Sequence, residues 1–239
     1  MLDVPKYPDA VVVVTGARKG LGRLIAGHFL DEGARVIGMS RGEASITHAS
    51  YEHHAVDVGD DAALRALFAK LARSTGKVDI VVNNAAVLTS MHAMLMPATR
   101  AEEMVRTNLL GGFYVSRESA KLMRKAKSGR IINIGSMATA LEPPGDSVYA
   151  ATKAAAMTLA GILAKELAGS NITCNTLGIT AFPSDMLDQL PPEKVAAVVA
   201  TLPLPRFATA DDILNVVDFF AAERSAYVTA QTVFLGGVH

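Results

Sequence analysis

Short runs of β-branched and other apolar residues alternate with longer amphipathic stretches along most of this chain. The strand-like runs are Val11–Thr15, Arg35–Met39, Ile80–Val82, Arg130–Ile134 and Ile172–Thr176. The helix-like stretches are Leu21–Glu32, Ala62–Ser74, one around Glu102–Lys125 and one from about Ser147 to Ala168. Strands that alternate with helices pair in parallel, and right-handed crossovers place the helices on both faces of the sheet. The pattern predicts an α/β fold with a doubly wound, mainly parallel sheet.

The chain reads as a single domain over residues 1–239, because it has no internal repeat, low-complexity tract or linker-like charge run. An irregular stretch from Gly178 to about Pro192 contains three prolines and follows the end of a predicted strand. Ligands bind at such strand ends in open α/β sheets. We therefore expect a substrate lid over about residues 178–205, with a merely long surface loop as the alternative.

Composition narrows the classes of partner. Half of the residues are hydrophobic, and the 23 basic residues balance the 23 acidic ones. A chain without net charge has no whole-molecule field to attract nucleic acid or an anionic membrane, so a small or buried ligand is expected.

The compartment follows from cysteine usage and the N-terminus. A lone cysteine, Cys174, cannot form an internal disulfide, and no Cys/His cluster suggests a metal site. The N-terminal sequence MLDVPKYPDA lacks the basic flank and cleavage signal of a secretory leader, and the apolar run Ala10–Val14 is too short to span a bilayer. These features predict a cytoplasmic protein.

A glycine-rich turn, TGARKGLG at residues 15–22, joins the first predicted strand to the first predicted helix. Glycines allow the backbone to turn tightly and to approach a pyrophosphate, which then faces the helix N-terminus. The spacing GxxxGxG differs from the GxGxxG form but uses the same physics. A glycine-rich turn without a ligand is the alternative. The expected dinucleotide contacts are Gly16, Arg18, Lys19, Gly20, Leu21 and Gly22.

The end of the second strand indicates which nucleotide binds. An NAD site would place Asp or Glu there to bind the ribose 2′-hydroxyl, but the sequence reads Met39-Ser40-Arg41. Arg41, with Arg18 or Lys19, can form charge-assisted bonds to a 2′-phosphate. NADP(H) is therefore preferred over NAD(H), with Ser40 beside it; solvated surface cations are the alternative.

Asp57-Val58 ends a third apolar run. The Asp57 carboxylate can accept a hydrogen bond from the adenine amine while Val58 packs under the ring. A helix cap is the competing role for Asp57, although Asp60 and Asp61 lie closer to the next helix.

We expect three polar residues to act in catalysis: Ser136, Tyr149 and Lys153. Tyr149 and Lys153 are four residues apart and share one face of a helix. A tyrosine is a poor acid at neutral pH, and we expect the Lys153 cation to lower its pKa. Ser136 ends a strand and can donate to a carbonyl oxygen during hydride transfer. Taken separately, each residue also fits chance pairing or a turn.

These motifs, with Asn83-Asn84-Ala85-Ala86 and Asn108, resemble those of the short-chain dehydrogenase/reductase family. The resemblance spans nearly the whole chain, reaching SAYVTAQ at residues 225–231 and Gly236-Gly237. The glycine turn and GRIINIGS at residues 129–136 resemble 3-oxoacyl-(acyl-carrier-protein) reductases in particular. The family implies an oxidoreductase with a Rossmann fold, a seven-stranded sheet and a homotetramer or homodimer.

The resemblance also implies residue roles. It gives a catalytic tetrad of Asn108, Ser136, Tyr149 and Lys153, in which Asn108 deforms its helix and holds a water that links Lys153 to solvent. The implied cofactor contacts beyond the glycine turn are Asn84 and Ala85 at the ribose, Thr107 on the adenine side, Ile134 under the nicotinamide, Tyr149 and Lys153, and the backbone at Gly178 and Thr180. Plain packing and turn formation are the alternative for the residues outside the tetrad, and for Ile134 this alternative is nearly as good.

Two regions depart from the family pattern. The usual Pro-Gly after the sixth strand is Leu177-Gly178 here. Phe182 stands where the family usually has a threonine. Leu235 replaces the usual aspartate before Gly236-Gly237. We expect these changes to affect the lid, the pocket or a subunit contact more than the chemistry.

The expected substrate pocket is apolar. Its wall is formed by Leu88, Met91, Met137, Leu141, Pro143, Ile179, Phe182 and Met186. Methionines more often fill cores than bind ligands, so they do not identify a substrate. The leading hypothesis is NADPH-dependent reduction of a 3-oxoacyl thioester or a similar hydrophobic ketone. The alternatives are a reductase of a free sugar, steroid or polyketide intermediate, and a nucleotide-binding regulator that has lost catalysis.

A basic cluster at Arg124, Lys125 and Lys127 is a candidate docking site for an acidic carrier protein, although Ser170 stands where a second arginine is usual in the subgroup. A solvated cationic helix end explains the cluster about as well.

Overall fold

The computed structural model describes residues 5–238. Met1–Val4 of the N-terminal sequence discussed above and His239 lie outside the described residues. Seven strands form one parallel sheet in the order β3-β2-β1-β4-β5-β6-β7. They are β1 Val11–Thr15, β2 Arg35–Ser40, β3 Tyr51–Ala55, β4 Ile80–Asn83, β5 Gly129–Ser136, β6 Ile172–Ile179 and β7 Thr232–Phe234. The predicted doubly wound parallel sheet is confirmed.

Helices connect the strands in the predicted rhythm. They are α1 Gly20–Asp31, α2 Asp61–Ser74, α3 Ala98–Met104, α4 Gly112–Ala126, α5 Ala138–Leu141, α6 Ser147–Leu167, α7 Pro192–Thr201 and α8 Ala210–Ala221. The stretch predicted as one helix around Glu102–Lys125 consists of α3, a π-helical segment over Val105–Gly111, and α4.

The sequence of β1, VVVVT, explains its central place in the sheet. All five residues are buried, because helices cover both faces of this strand. Val12 and Val14 pack in one core with α1 and α8, whereas Val11 and Val13 pack in a second core with α2, α4 and α6. Side chains alternate between the faces of a strand, so an unbroken apolar run serves both cores. The glycine turn after β1 is therefore held on a rigid strand end.

The strand order reverses at β1: β2 and β3 lie on one side of it and β4 to β7 on the other. Connections that leave in opposite directions open a crevice at the carboxyl ends of the strands. The topology thus fixes where a ligand cleft forms.

The predicted start of irregular backbone at Gly178 is wrong. β6 continues through Ile179, because Gly178 pairs with Phe234 of β7 and Ile179 pairs with Ser136 of β5. Irregular backbone begins at Thr180, and α7 lies within the range predicted as the lid.

One helical stretch, Ser147–Ser170, is long and apolar enough to cross a membrane by length and composition alone. A third of its most apolar window is buried, and α6 packs against β5 and β6. A helix that flanks the core of a sheet passes the same test, so its composition does not by itself indicate a membrane.

Candidate active site

A cleft of about 380 Å³ lies at the carboxyl ends of the strands. Most residues predicted to bind the cofactor or to act in catalysis line it: Gly16, Arg18, Lys19, Gly20, Leu21, Gly22, Ser40, Arg41, Asp57, Val58, Asn84, Ala85, Thr107, Ile134, Ser136, Tyr149, Lys153 and Thr180. The residues of the predicted substrate wall that line the cleft are Leu88, Met137, Leu141, Pro143, Ile179, Phe182 and Met186. The cleft is therefore continuous from the glycine turn to the apolar wall.

Three predicted residues do not line this cleft. Gly178 is buried within β6, where an added Cβ would lie 2.2 Å from the Phe234 ring. Met91 lies outside the cleft with its backbone N–H donating to the Gly145 carbonyl, so its place in the pocket wall is wrong. Asn108 lies below the cleft floor, in a separate small cavity.

The glycine turn forms a cradle that side chains would fill. Gly16 has a positive φ of 68°, and a Cβ on Gly22 would lie 2.3 Å from the Gly16 carbonyl oxygen. α1 begins without a side-chain hydrogen bond to its N-terminus. The first N–H groups of a helix need acceptors, and a phosphate can provide them. The turn therefore fits a dinucleotide pyrophosphate.

Thr15 ties the ends of two neighbouring strands together. Its hydroxyl accepts hydrogen bonds from the backbone N–H groups of Asn84 (3.0 Å) and Ala85 (2.9 Å). The Asn84 side-chain amide donates to the Thr15 carbonyl oxygen at 2.9 Å. These bonds hold Asn84 and Ala85 in the cleft beside the glycine turn.

Three cations lie at the glycine-turn end of the cleft: Arg18, Lys19 and Arg41. Lys19 forms an ion pair of 2.7 Å with Asp185, which lies in the loop after β6. Arg41 pairs with Glu103 of α3 at 3.3 Å. All three cations are exposed, so a phosphate group entering this end of the cleft would meet them directly.

Asp60, not Asp57, caps α2, since its carboxylate accepts from the Ala63 N–H at 3.0 Å. The capping role considered for Asp57 is therefore wrong. Asp57 accepts from the Gly59 N–H at 2.8 Å and lies 3.8 Å from Arg106. Asp57 remains in the wall of the cleft with Val58.

Ser136, Tyr149 and Lys153 meet where the cleft joins the apolar wall. Ser136 ends β5, while Tyr149 and Lys153 lie on successive turns of α6. The Ser136 side chain lies close enough to the Tyr149 hydroxyl to lower its pKa. The Lys153 ammonium donates to the Ile134 carbonyl oxygen at 2.8 Å and lies 5.9 Å from the centre of the Tyr149 ring.

The pKa of Tyr149 differs from the sequence expectation. Burial raises it above its ordinary value, the nearby Ser136 hydroxyl opposes this, and the charge of Asp146 raises it further. The Lys153 ammonium lies beside the ring and bonds Ile134, so the expected lowering by Lys153 is wrong for this arrangement. Burial also lowers the pKa of Lys153 to about 8. In this arrangement the Tyr149 hydroxyl is therefore protonated at neutral pH.

Asn108 lies in the π-helical segment, in which the helix is widened. Its amide oxygen accepts from the Val87 N–H at 2.8 Å, and its amide nitrogen donates to the Val87 carbonyl at 2.9 Å and to the Thr152 hydroxyl at 3.2 Å. With Lys153 it lines a cavity of about 20 Å³ beneath the cleft. Asn108 therefore lies near Lys153 but does not hydrogen-bond it.

The basic cluster at Arg124, Lys125 and Lys127 lies at the C-terminal end of α4. That helix leads into the first residue of β5, at the edge of the sheet opposite the cleft. The cluster therefore does not border the cleft of its own chain.

Sequence reasoning missed part of the cleft. Asp146, which precedes α6, is one residue of the cleft that no motif identifies. Others that were not predicted come from the loop after β6 and from α7, within the range expected to form a lid: Ser184, Asp185, Leu187, Leu190, Lys194, Val195 and Val198. The spacing of Val195 and Val198 was the available signal, since residues three apart share one face of a helix.

In residues 5–238, no group of three or more His, Cys, Asp or Glu side chains is arranged to hold a metal ion.

Known proteins resemble this chain in sequence and in fold. A family model described as short chain dehydrogenase matches residues 10–195. The 3-oxoacyl-(acyl-carrier-protein) reductase of Escherichia coli (strain K12) is 32% identical over 237 residues, covering 97% of each chain. That of Staphylococcus aureus (strain Mu50) is 33% identical over 235 residues, covering 94% of this chain and 96% of its own.

A solved structure agrees. The gluconate 5-dehydrogenase of Burkholderia cenocepacia J2315, in complex with NADP and tartrate, has a TM-score of 0.91 and is 26% identical, covering 98% of this chain and 97% of its own. From the family match and the relatives together, the chain belongs to the short-chain dehydrogenase family of oxidoreductases, which bind a nicotinamide cofactor and act on CH–OH or ketone groups.

Proposed function

We propose that this protein reduces a ketone to a secondary alcohol with NADPH, and that Tyr149 is the proton donor. The observation that carries the proposal is that Ser136, Tyr149 and Lys153 line one cleft, at the junction of the glycine-turn end and the apolar wall. A carbonyl oxygen at this junction meets two hydroxyl donors. Ser136 stabilises the negative charge that develops on that oxygen, and Tyr149 gives it a proton.

The residues of the glycine turn and of strand ends would hold the cofactor, which supplies the hydride when bound. Gly16, Gly20 and Gly22 admit its pyrophosphate against the N-terminus of α1. Arg18, Lys19 and Arg41 supply positive charge for a 2′-phosphate, and β2 ends in Met39-Ser40, followed by Arg41, without a carboxylate to bind a free 2′-hydroxyl. These observations support NADPH over NADH.

Lys153 and Asn108 complete the proposed catalytic group. The Lys153 ammonium is buried beside Tyr149 and fixed by the Ile134 carbonyl. Asn108 lines the same small cavity as Lys153, beneath the cleft. In the proposed mechanism this cavity carries the proton that replenishes Tyr149 after each turnover.

The first substrate class to test is a 3-oxoacyl thioester. The apolar wall suits a hydrophobic ketone, and the curated relatives are named as 3-oxoacyl-(acyl-carrier-protein) reductases. Whether the thioester is bound to a carrier protein is part of the same test. The basic cluster of α4 does not border the cleft of its own chain. If the rate depends on a carrier protein, the cluster therefore does not act by direct contact with that cleft.

A second candidate is a reductase or dehydrogenase of a free hydroxylated small molecule. It is favoured by the buried carboxylate of Asp146 in the cleft, and by the likeness to a gluconate 5-dehydrogenase solved with NADP and tartrate.

One experiment tests the proposal and compares the candidates. NADPH oxidation is measured with a short 3-oxoacyl thioester, with free ketones and hydroxyketones, and with NADH in place of NADPH. Turnover of the thioester supports the acyl reductase, turnover of free ketones alone supports the second candidate, and tight NADPH binding without any turnover would indicate a nucleotide-binding regulator.

The domain organisation, the assembly and the compartment of the protein are also proposed. We propose one domain over the whole chain, with a lid at about residues 178–205, in a cytoplasmic homotetramer or homodimer. The apolar α6, much of whose surface is not buried, supports an interface on that helix. Light scattering of the purified protein tests this assembly.

A further inference from the structure

The side chain of Asp146 is a buried carboxylate in the cleft without a partner. Asp146 is 7% exposed and lines the cleft with Tyr149 and Lys153. Its Oδ1 atom is fully buried and accepts no hydrogen bond from residues 5–238. Buried carboxylates are normally paired or hydrogen-bonded, so one without a partner indicates a missing donor.

The backbone around Asp146 explains why the side chain has no internal partner. Asp146 stands at the N-terminus of α6, yet its side chain makes no capping hydrogen bond. Its N–H donates to the Pro143 carbonyl at 3.1 Å, and its carbonyl accepts from the Ala150 N–H at 2.8 Å. The preceding Gly145 has a positive φ of 99°, a conformation that glycine adopts without strain. The loop thus turns Asp146 away from the helix end.

Asp146 is close to the reacting group. It precedes Tyr149 by three residues, a spacing that places two side chains on the same face of a helical turn. Its charge acts on the Tyr149 hydroxyl and raises the pKa of that group. A substrate with its carbonyl oxygen at Tyr149 would therefore place neighbouring atoms near the Asp146 carboxylate.

Two cations near Asp146 determine which kind of hydrogen-bond donor a substrate can place beside its carboxylate. Lys153 is buried in the same cleft, and the Lys194 ammonium lies 3.0 Å from the Pro144 carbonyl oxygen, two residues from Asp146. A substrate ammonium group would be repelled by both. A hydroxyl group is neutral and donates one hydrogen bond, so it satisfies the carboxylate without adding charge.

We propose that Asp146 is a specificity-determining residue that accepts a hydrogen bond from a substrate hydroxyl next to the reacting carbonyl, so that hydroxyketones are the preferred substrates. The proposal rests on the proposed ketone reductase activity and selects a substrate class for it. In the reverse direction the same contact favours vicinal diols.

The test compares two ketones that differ by one hydroxyl group. The ratio of kcat/KM for acetoin to that for butanone is measured with NADPH for the wild-type protein and for Asp146→Leu and Asp146→Asn. A hydrogen bond to a charged group contributes enough to give a wild-type ratio of about 10 to 100. In Asp146→Leu the ratio falls to about one; in Asp146→Asn, which keeps a neutral acceptor, it is intermediate.

A matched control uses another aspartate of the cleft. Asp185 is exposed and already paired with Lys19, so Asp185→Asn leaves the ratio unchanged. A second readout does not depend on activity: removing a buried carboxylate without a partner raises the melting temperature of Asp146→Leu above that of the wild type.

The outcomes separate the two proposals. A wild-type ratio near one, or a ratio that Asp146→Leu does not change, overturns the role of Asp146 and leaves the ketone reductase intact. A lower melting temperature in Asp146→Leu would show that the carboxylate is satisfied within the fold, which also overturns it. Absence of turnover with every ketone and thioester overturns the proposed function and the Asp146 role with it.

Discussion

The ammonium group of Lys153 donates a hydrogen bond of 2.8 Å to the carbonyl oxygen of Ile134. This bond joins α6 to the end of β5, two residues before Ser136. Lys153 is only 5% exposed, so the Ile134 carbonyl is what fixes a buried cation beside Tyr149. Ile134, Tyr149 and Lys153 all line the cleft.

Lys153→Met removes this cation, and we expect the protein to become more stable while losing activity. Burial holds the pKa of Lys153 at about 8 instead of 10.5, a penalty of about 3 kcal/mol at neutral pH. The lost hydrogen bond from the charged ammonium to Ile134 offsets about 1.5 to 3 kcal/mol of this, so the net gain is at most about 1.5 kcal/mol. Turnover falls by two orders of magnitude or more, on the order of other losses of proton-transfer groups.

The pH dependence of that stability gain gives the control. Between pH 8 and 10.5 the unfolded chain binds the Lys153 proton and the folded protein does not, so this group's contribution to stability rises with pH. The excess melting temperature of Lys153→Met over wild type is therefore largest below pH 8 and shrinks toward pH 10.5. An excess that is independent of pH would contradict the buried cation.

Tyr149→Phe removes the proposed proton donor and keeps the ring. The hydroxyl is lost, while the ring still packs with Met104 and Ala138. We expect kcat to fall by about 10² to 10⁴-fold with NADPH affinity nearly unchanged. Steady-state kinetics and fluorescence titration of NADPH measure both. Retention of full activity would refute the proposed mechanism.

The fold was predictable because its signals are local. The buried run of β1 and the turn at residues 15–22 define a strand, a tight turn and a helix start within a dozen residues. The four-residue spacing of Tyr149 and Lys153 needs only a helix to bring them to one face. Each of these predictions depends on short-range geometry.

The rest depends on contacts between distant parts of the chain. The end of β6 at Ile179 is set by its pairing with Ser136 of β5, more than forty residues earlier in the sequence. The direction of the Tyr149 pKa follows from burial, which no motif reveals. Asp146 makes no capping bond and lines the cleft, although its position before α6 is that of a helix cap. Tertiary packing decides all three.

Arg41→Ala should weaken NADPH binding by about 10 to 100-fold and leave NADH binding nearly unchanged, because only NADPH carries the 2′-phosphate. Arg100 provides a matched control, since it pairs with the same Glu103 at 2.9 Å but does not line the cleft. Arg100→Ala should leave the preference between the two cofactors unchanged. Titration of both cofactors against each variant measures this, and equal losses for NADPH and NADH in Arg41→Ala would refute the assignment.

The ion pair between Lys19 and Asp185 joins the glycine turn to the loop after β6, and a bound 2′-phosphate would compete with Asp185 for the Lys19 ammonium. Asp185→Asn should therefore increase NADPH affinity. Both side chains are more than half exposed, so the gain is no more than about fivefold. High salt should suppress it, because exposed charges are screened. Asp188→Asn is the control, since Asp188 lies in the same loop region and forms no ion pair with the described residues. An equal gain for NADH would show that the loop acts by blocking the cleft, and not by competition for Lys19.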